Sequence, residues 1–142
     1  MNILYLLKIK SDLSYVYDDN SMRQGLEKMR SHSYTAIPVI TRDGDYVGTV
    51  TEGDFLWHIL RYGRASIKDQ ESYRVGDIVR EDFMLPVRVN ATDEELIEKA
   101  INQNFVPVVD DRNKFIGIVT RQDIIRFFVE KHTGNKQQSN VS

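Results

Sequence analysis

At 142 residues and a net charge of −2, the chain suffices for one ordinary domain or for two half-size units sharing a core, and charges of both signs are spread along both halves. That balance argues against nucleic acid as a partner, and the lack of cysteine excludes a disulfide scaffold and any thiolate zinc site. The cytoplasm is the expected compartment, because the apolar opening over residues 1–7 is too short to cross a membrane, lacks a basic leader and turns polar at Lys8.

The first expected element is a short extended segment over 13–16. Ser21 and Gln24 then form a capping-box pattern ahead of Leu26 and Met29 at helical spacing, which predicts a helix over 22–31. Residues 37–40 and 46–50 are short apolar runs around Asp43-Gly44, a strong hairpin signal, and Thr51-Glu-Gly-Asp54 caps a helix running to Gly63. The charged stretch 64–74 is nearly free of aliphatic residues and reads as a linker. Thr92 and Glu95 open a second helix-strand-strand-helix series, with strands over 105–109 and 115–119 and a last helix over 121–132. Gly134 is expected to stop that helix, leaving 133–142 as a polar, disordered tail.

The two series are one unit written twice. Ile37-Pro38-Val39, Gly48, Thr51 and Asp54 recur as Val106-Pro107-Val108, Gly117, Thr120 and Asp123, every one displaced by sixty-nine positions. Ser21 and Thr92 are displaced by seventy-one, so the second unit has lost two residues between its first helix and its strand. Such a repeat implies pseudo-twofold symmetry and a shared cleft. The closing helices carry wide apolar stripes, Phe55, Leu56, Ile59 and Leu60 in one and Ile124, Ile125, Phe128 and Val129 in the other, with Trp57 and Phe127 off the stripe. Those faces suit either a broad core or packing against a second copy of the chain.

Gly48-Thr-Val-Thr-Glu-Gly-Asp54 and Gly117-Ile-Val-Thr-Arg-Gln-Asp123, preceded by Tyr34-Thr-Ala-Ile-Pro38 and Asn104-Phe-Val-Pro107, resemble the paired signature of cystathionine beta-synthase (CBS) domains over residues 5–132. The resemblance implies an α+β fold of two β-α-β-β-α repeats, at 1–63 and 75–132, related by a pseudo-twofold axis. It implies a regulatory, energy-sensing module that binds an adenosine-containing ligand: AMP, ADP, ATP, S-adenosylmethionine or cyclic di-AMP. It also implies a homodimer forming a disc of four repeats, and a separate regulated protein. Many such pairs are attached to an enzyme, channel or DNA-binding domain; this sequence shows none, so a stand-alone, bacterial-type pair without catalysis or cofactor is expected.

Physical chemistry gives these residues matching roles. Thr51 and Thr120 place a hydroxyl at a helix N-terminus, where unpaired N–H groups favour phosphate, and Asp54 and Asp123 are suited to accept both hydroxyls of a ribose. Each Thr-x-x-Asp is equally a plain capping box. Pro38 and Pro107 cannot donate to a sheet and belong at a strand start or edge, leaving nearby backbone groups to read adenine, or else marking an ordinary strand entry. By resemblance, Thr120 and Asp123 share a site with Tyr34, Thr35 and Ala36, with Lys10 nearby, and Thr51 and Asp54 share one with Gln103, Asn104 and Phe105, with Arg80 nearby. Arg121 is expected to fork onto a phosphate where Glu52 repels one, which makes the Asp123 site the tighter. His32, His58 and His132 have no metal-ligand spacing, and Asp18-Asp19 and Asp110-Asp111 read as solvated turns rather than catalytic pairs. The competing reading is a ligand-free dimerisation module that docks onto another protein.

Overall fold

The computed structural model describes residues 2–32, 35–62 and 71–140, with side chains through Thr133. The first unit comprises β2 (Val16–Tyr17), α1 (Met22–His32), β3 (Ala36–Ile40), β4 (Tyr46–Thr51) and α2 (Glu52–Tyr62). The second repeats it as β5 (Val87–Arg88), α3 (Asp93–Asn102), β6 (Phe105–Val109), β7 (Phe115–Thr120) and α4 (Arg121–Asn140). One further strand, β1 (Lys8–Ile9), precedes both. The sheets run β2-β3-β4 and β1-β7-β6-β5, with β2 and β5 parallel to their neighbours and both hairpins antiparallel. This is the α+β pair of repeats that the signature implies.

The repeat offset locates the symmetry axis. Asp45 forms an antiparallel bridge with Lys114, its own counterpart sixty-nine residues on, and a residue paired with its equivalent must lie on the axis. The flanking bonds obey the same operation: Tyr46 N–H donates to Asn113 O at 3.0 Å, and Phe115 N–H donates to Gly44 O at 2.9 Å. Tyr46 and Phe115 stack at 6.0 Å beside Ile40 and Val109, so the cluster between the sheets consists of equivalent pairs. Burying these apolar rings and branched side chains at a shared seam welds the repeats into one body.

Each repeat also borrows the segment that leads into the other. Ile3, Leu6 and Leu7 pack with Leu96, Val106 and Ile124 of the second repeat, and β1 pairs with β7. Reciprocally, Val75, Ile78 and Val79 pack with Met22, Val50 and Phe55 of the first. The exchange explains the two repeated glycines, since a Cβ on Gly117 would collide with Lys8 O and one on Gly48 with the Val79 side chain.

Pro38 and Pro107 stand in the middle of β3 and β6, opposite Thr49 and Ile118, and meet the edge alternative of the expectation rather than the strand start. They are tolerated because β2 and β5 pair only from Val39 and Val108 onward, so each proline faces an edge with no donor required of it. The last helix runs through Gly134 to Asn140, past the expected stop, and the expected disordered tail is helical that far. An interior glycine costs a helix only about 1 kcal/mol, which need not end it. Residues 63–70, most of the expected linker, lie outside the described residues.

Candidate functional site

The alternation along β3 and β6 sets up both clefts. Glu52 N–H donates to Thr35 O at 3.1 Å, and Arg121 N–H donates to Asn104 O at 2.9 Å, so Thr35 and Asn104 turn their carbonyls inward to their own hairpins. By strand alternation the neighbouring Ala36, Pro38, Phe105 and Pro107 present their backbones to the opposite edges, where the repeats meet. There a slot of about 100 Å³ is lined by Leu13, Ser14, Ala36 and Pro38 of the first repeat and by Phe105 and Ile118 of the second. Ile118 lies two residues before Thr120 on β7, which by strand alternation puts both on one face. Thr120 Oγ1 accepts the Asp123 N–H at 3.2 Å, while the Asp123 carboxylate stays 26% exposed, with Arg126 Nη1 3.9 Å away.

The symmetry-related cleft is built from equivalents of the same residues and carries more internal hydrogen bonds, while Asp54 and Arg80 also line a cavity of about 730 Å³ with Trp57, His58 and Tyr62. The counterparts of Leu13, Ser14 and Ile118 are Met84, Leu85 and Thr49. Tyr46 Oη lies 2.7 Å from Met84 O and 2.9 Å from Thr49 Oγ1. A carbonyl can only accept, so Tyr46 donates to Met84 and Thr49 donates to Tyr46. Burial holds the Tyr46 hydroxyl protonated far above the ordinary tyrosine range, an effect that its bond to Thr49 offsets only in part. Gln103 Nε2 bridges Leu85 O at 3.3 Å and Phe105 O at 3.2 Å.

Asp54 is hydrogen-bonded there as well. Its Oδ2 accepts Thr51 N–H at 2.8 Å, its N–H donates to Thr51 Oγ1 at 3.2 Å, and its Oδ1 takes Arg80 Nε at 2.7 Å. The carboxylate is 7% exposed, and the Arg80 guanidinium lies 3.8 Å above the Phe83 ring.

The structure therefore brings Arg80 to Asp54 and Ala36 and Phe105 to a common slot, and it redirects other candidates. Arg121 does not point to a phosphate position: its Nε donates to Ala100 O at 2.7 Å and Gln103 O at 3.1 Å. These are carbonyls at the end of α3, where the helix dipole favours a cation. Arg126, one turn further along α4, is the cation beside Asp123. Lys10 lies 5.2 Å from the Tyr15 ring centroid and lines a different cavity, with Lys28 and Arg42. Nor is Lys10 the structural equivalent of Arg80. The Val79 side chain meets Gly48 as the Leu7 side chain meets Gly117, which aligns Arg80 with Lys8. Tyr34 lies outside the described residues.

Sequence reasoning missed Leu13, Ser14 and Ile118 in the open slot and Tyr46, Thr49 and Met84 in the symmetry-related cleft. A usable signal was present: the first copy carries hydroxyls at Tyr46 and Thr49 where the second has Phe115 and Ile118.

The family model for the CBS domain matches twice, over residues 7–61 and 75–130. The chain belongs to the CBS domain family. Among curated relatives, protein MJ1225 of Methanocaldococcus jannaschii is 26% identical over 132 residues, 85% of this chain and 47% of that protein, so the chain spans about half of that relative's length. A CbpB structure in complex with c-di-AMP superposes with a TM-score of 0.85 at 22% identity, covering 97% of this chain and 91% of CbpB. A CBSX2 structure in complex with AMP gives 0.70 at 26% identity, covering 92% and 98%.

Proposed function

We propose that this CBS pair is a regulatory module that binds one adenosine-containing nucleotide in the Thr120/Asp123 cleft and passes the change to a separate protein. The observation that carries the reading is the Asp123 side chain, partly exposed on the strand-to-helix turn that follows the slot residue Ile118, where Asp54 in the sister cleft is paired with Arg80. The slot takes the base between Ala36, Pro38 and Phe105, and Ser14 supplies a hydroxyl. Asp123 takes the ribose, and the N-terminus of α4 together with Arg126 faces the phosphate. The c-di-AMP and AMP complexes of CbpB and CBSX2 support an adenine ligand. We read the module as non-catalytic.

The exposed faces of α2 (Leu56, Trp57, Leu60) and α4 (Ile125, Val129) support a homodimer through these helices. Among the described residues no helix is long and apolar enough to cross a membrane. Signalling requires the ligand to favour one arrangement of the repeats over another, since equal affinity shifts nothing.

A thermal-shift panel of AMP, ADP, ATP, S-adenosylmethionine, cyclic di-AMP and guanine nucleotides tests the reading. A ligand at a hundred times its dissociation constant adds about 2.7 kcal/mol of stability. The expected result is an adenine-specific shift that disappears in Asp123→Ala. No shift from any ligand, with the protein folded and dimeric, favours the assembly module instead.

A further inference from the structure

We infer that the Thr51/Asp54 cleft is latched by the chain's own Arg80 and Gln103, so that each chain takes up a single nucleotide although it carries the binding signature twice. The inference rests on the nucleotide reading above and goes beyond it by assigning which cleft works and which residues disable the other.

A ribose diol binds a carboxylate by donating to its oxygens. Here each oxygen already holds one partner, Oδ2 the Thr51 N–H at 2.8 Å and Oδ1 the Arg80 Nε at 2.7 Å, so lone pairs remain but Arg80 occupies the approach to Oδ1. The second contact is short and charge-assisted, the stronger class of hydrogen bond, and the guanidinium is further held by stacking 3.8 Å over Phe83. Neutral ribose hydroxyls would have to displace a cation from a carboxylate only 7% exposed. Arg80 thus stands where the ligand's sugar belongs.

The base position is closed independently. Leu85 and Phe105 correspond to Ser14 and Ala36, which line the open slot, and the carbonyls of both are taken by the Gln103 amide. Gln103 is itself 8% exposed. Adenine entering here would strip two bonds from a buried amide, and unpaired buried groups are costly. In the open cleft Asp123 keeps no partner like Arg80 from the leading segment among the described residues: its nearest cation is Arg126 of its own helix, at 3.9 Å.

Isothermal titration of the full chain with AMP reads the stoichiometry directly. The wild type is expected to bind one AMP per chain, and Arg80→Ala/Gln103→Ala, checked for folding by circular dichroism, two. In the triple variant that adds Asp123→Ala, one site is expected to remain. Two sites in the wild type, or still one in the unlatched variant, overturns the latch. No AMP binding by the wild type counts against the nucleotide reading for that ligand, and the latch then stands or falls on a ligand-independent cycle. Melting temperatures of Arg80→Ala, Asp54→Ala and the double variant are expected to fall by less than the sum of the single losses. Additive losses overturn the latch as a physical contact.

Discussion

Thr51-Glu-Gly-Asp54 and Thr120-Arg-Gln-Asp123 sit on the same strand-to-helix turn of the same repeated unit, yet the Asp54 side chain is 7% exposed and paired with Arg80 while that of Asp123 is 26% exposed. The difference lies outside the signature. Arg80 comes from the segment leading into the opposite repeat, Gln103 from the end of α3, and the Tyr46–Thr49 pair from the neighbouring hairpin. A motif therefore supplies a carboxylate, and what packs against it decides whether the carboxylate is left for a ligand. Exchanging leading segments makes this possible, because each cleft takes part of its wall from a stretch of chain outside its own turn.

The comparison is sharpened first by the paired glycines, where the largest effect is expected. A Cβ on Gly117 meets the Lys8 backbone carbonyl, which has nowhere to move, whereas one on Gly48 meets a valine side chain. Gly117→Ala is expected to cost about 3 kcal/mol or more in chemical denaturation, at or above the usual range for overpacking, and Gly48→Ala about 1–2 kcal/mol. Equal costs would mean that the two leading segments do not pack as differently as described.

Next come the carboxylates themselves. Asp123→Ala should weaken nucleotide binding on the order of 10- to 100-fold, the loss of hydrogen bonds to a charged group, with little change in melting temperature. Asp54→Ala should do the reverse: affinity is retained, and about 1–2 kcal/mol of stability goes with the lost cap and the half-exposed Arg80 pair. A titration in which Asp54→Ala abolishes binding and Asp123→Ala does not would invert the assignment.

Tyr46→Phe probes the hydrogen bonds of the Asp54 cleft. It should cost about 1 kcal/mol at neutral pH, since Met84 O and Thr49 lose a partner. The pH dependence carries a sign. Burial raises the Tyr46 pKa above that of the unfolded chain, so its contribution is complete below about pH 10 and is lost as pH rises, when the unfolded chain releases its proton first. Alkaline denaturation of the wild type should show this loss, with a slope of up to about 1.4 kcal/mol per pH unit that Tyr46→Phe removes. The smallest effect is expected on the axis. Lys114→Met breaks the ion pair with Asp45 at 2.9 Å, and because both side chains are more than a third exposed it should cost no more than about 0.5 kcal/mol.

The fold was legible because the repeat is: equal spacing of Pro, Gly, Thr and Asp fixes two copies of one unit, and hairpin and capping signals place their elements. Of the proposed site, Thr120, Asp123, Ala36 and Phe105 follow from the signature, and the Tyr46/Phe115 and Thr49/Ile118 differences can be seen by laying one copy over the other. Arg121 was misread because its competitor, the carbonyl end of α3, is near in space and distant in sequence. Arg80 was placed near Asp54, but its choice of Asp54 rather than a ligand depends on burial, which no local pattern encodes. Gly134 reads as a helix stop by its own propensity, yet the helix continues past it to Asn140, because one glycine costs a helix only about 1 kcal/mol.

The most direct test is a co-crystal structure grown at saturating AMP. The account predicts one AMP per chain, its base between Ser14, Ala36 and Phe105, its ribose on Asp123, and Arg80 still bonded to Asp54. An AMP seated on Asp54 with Arg80 swung away, and the Asp123 slot empty, would contradict it.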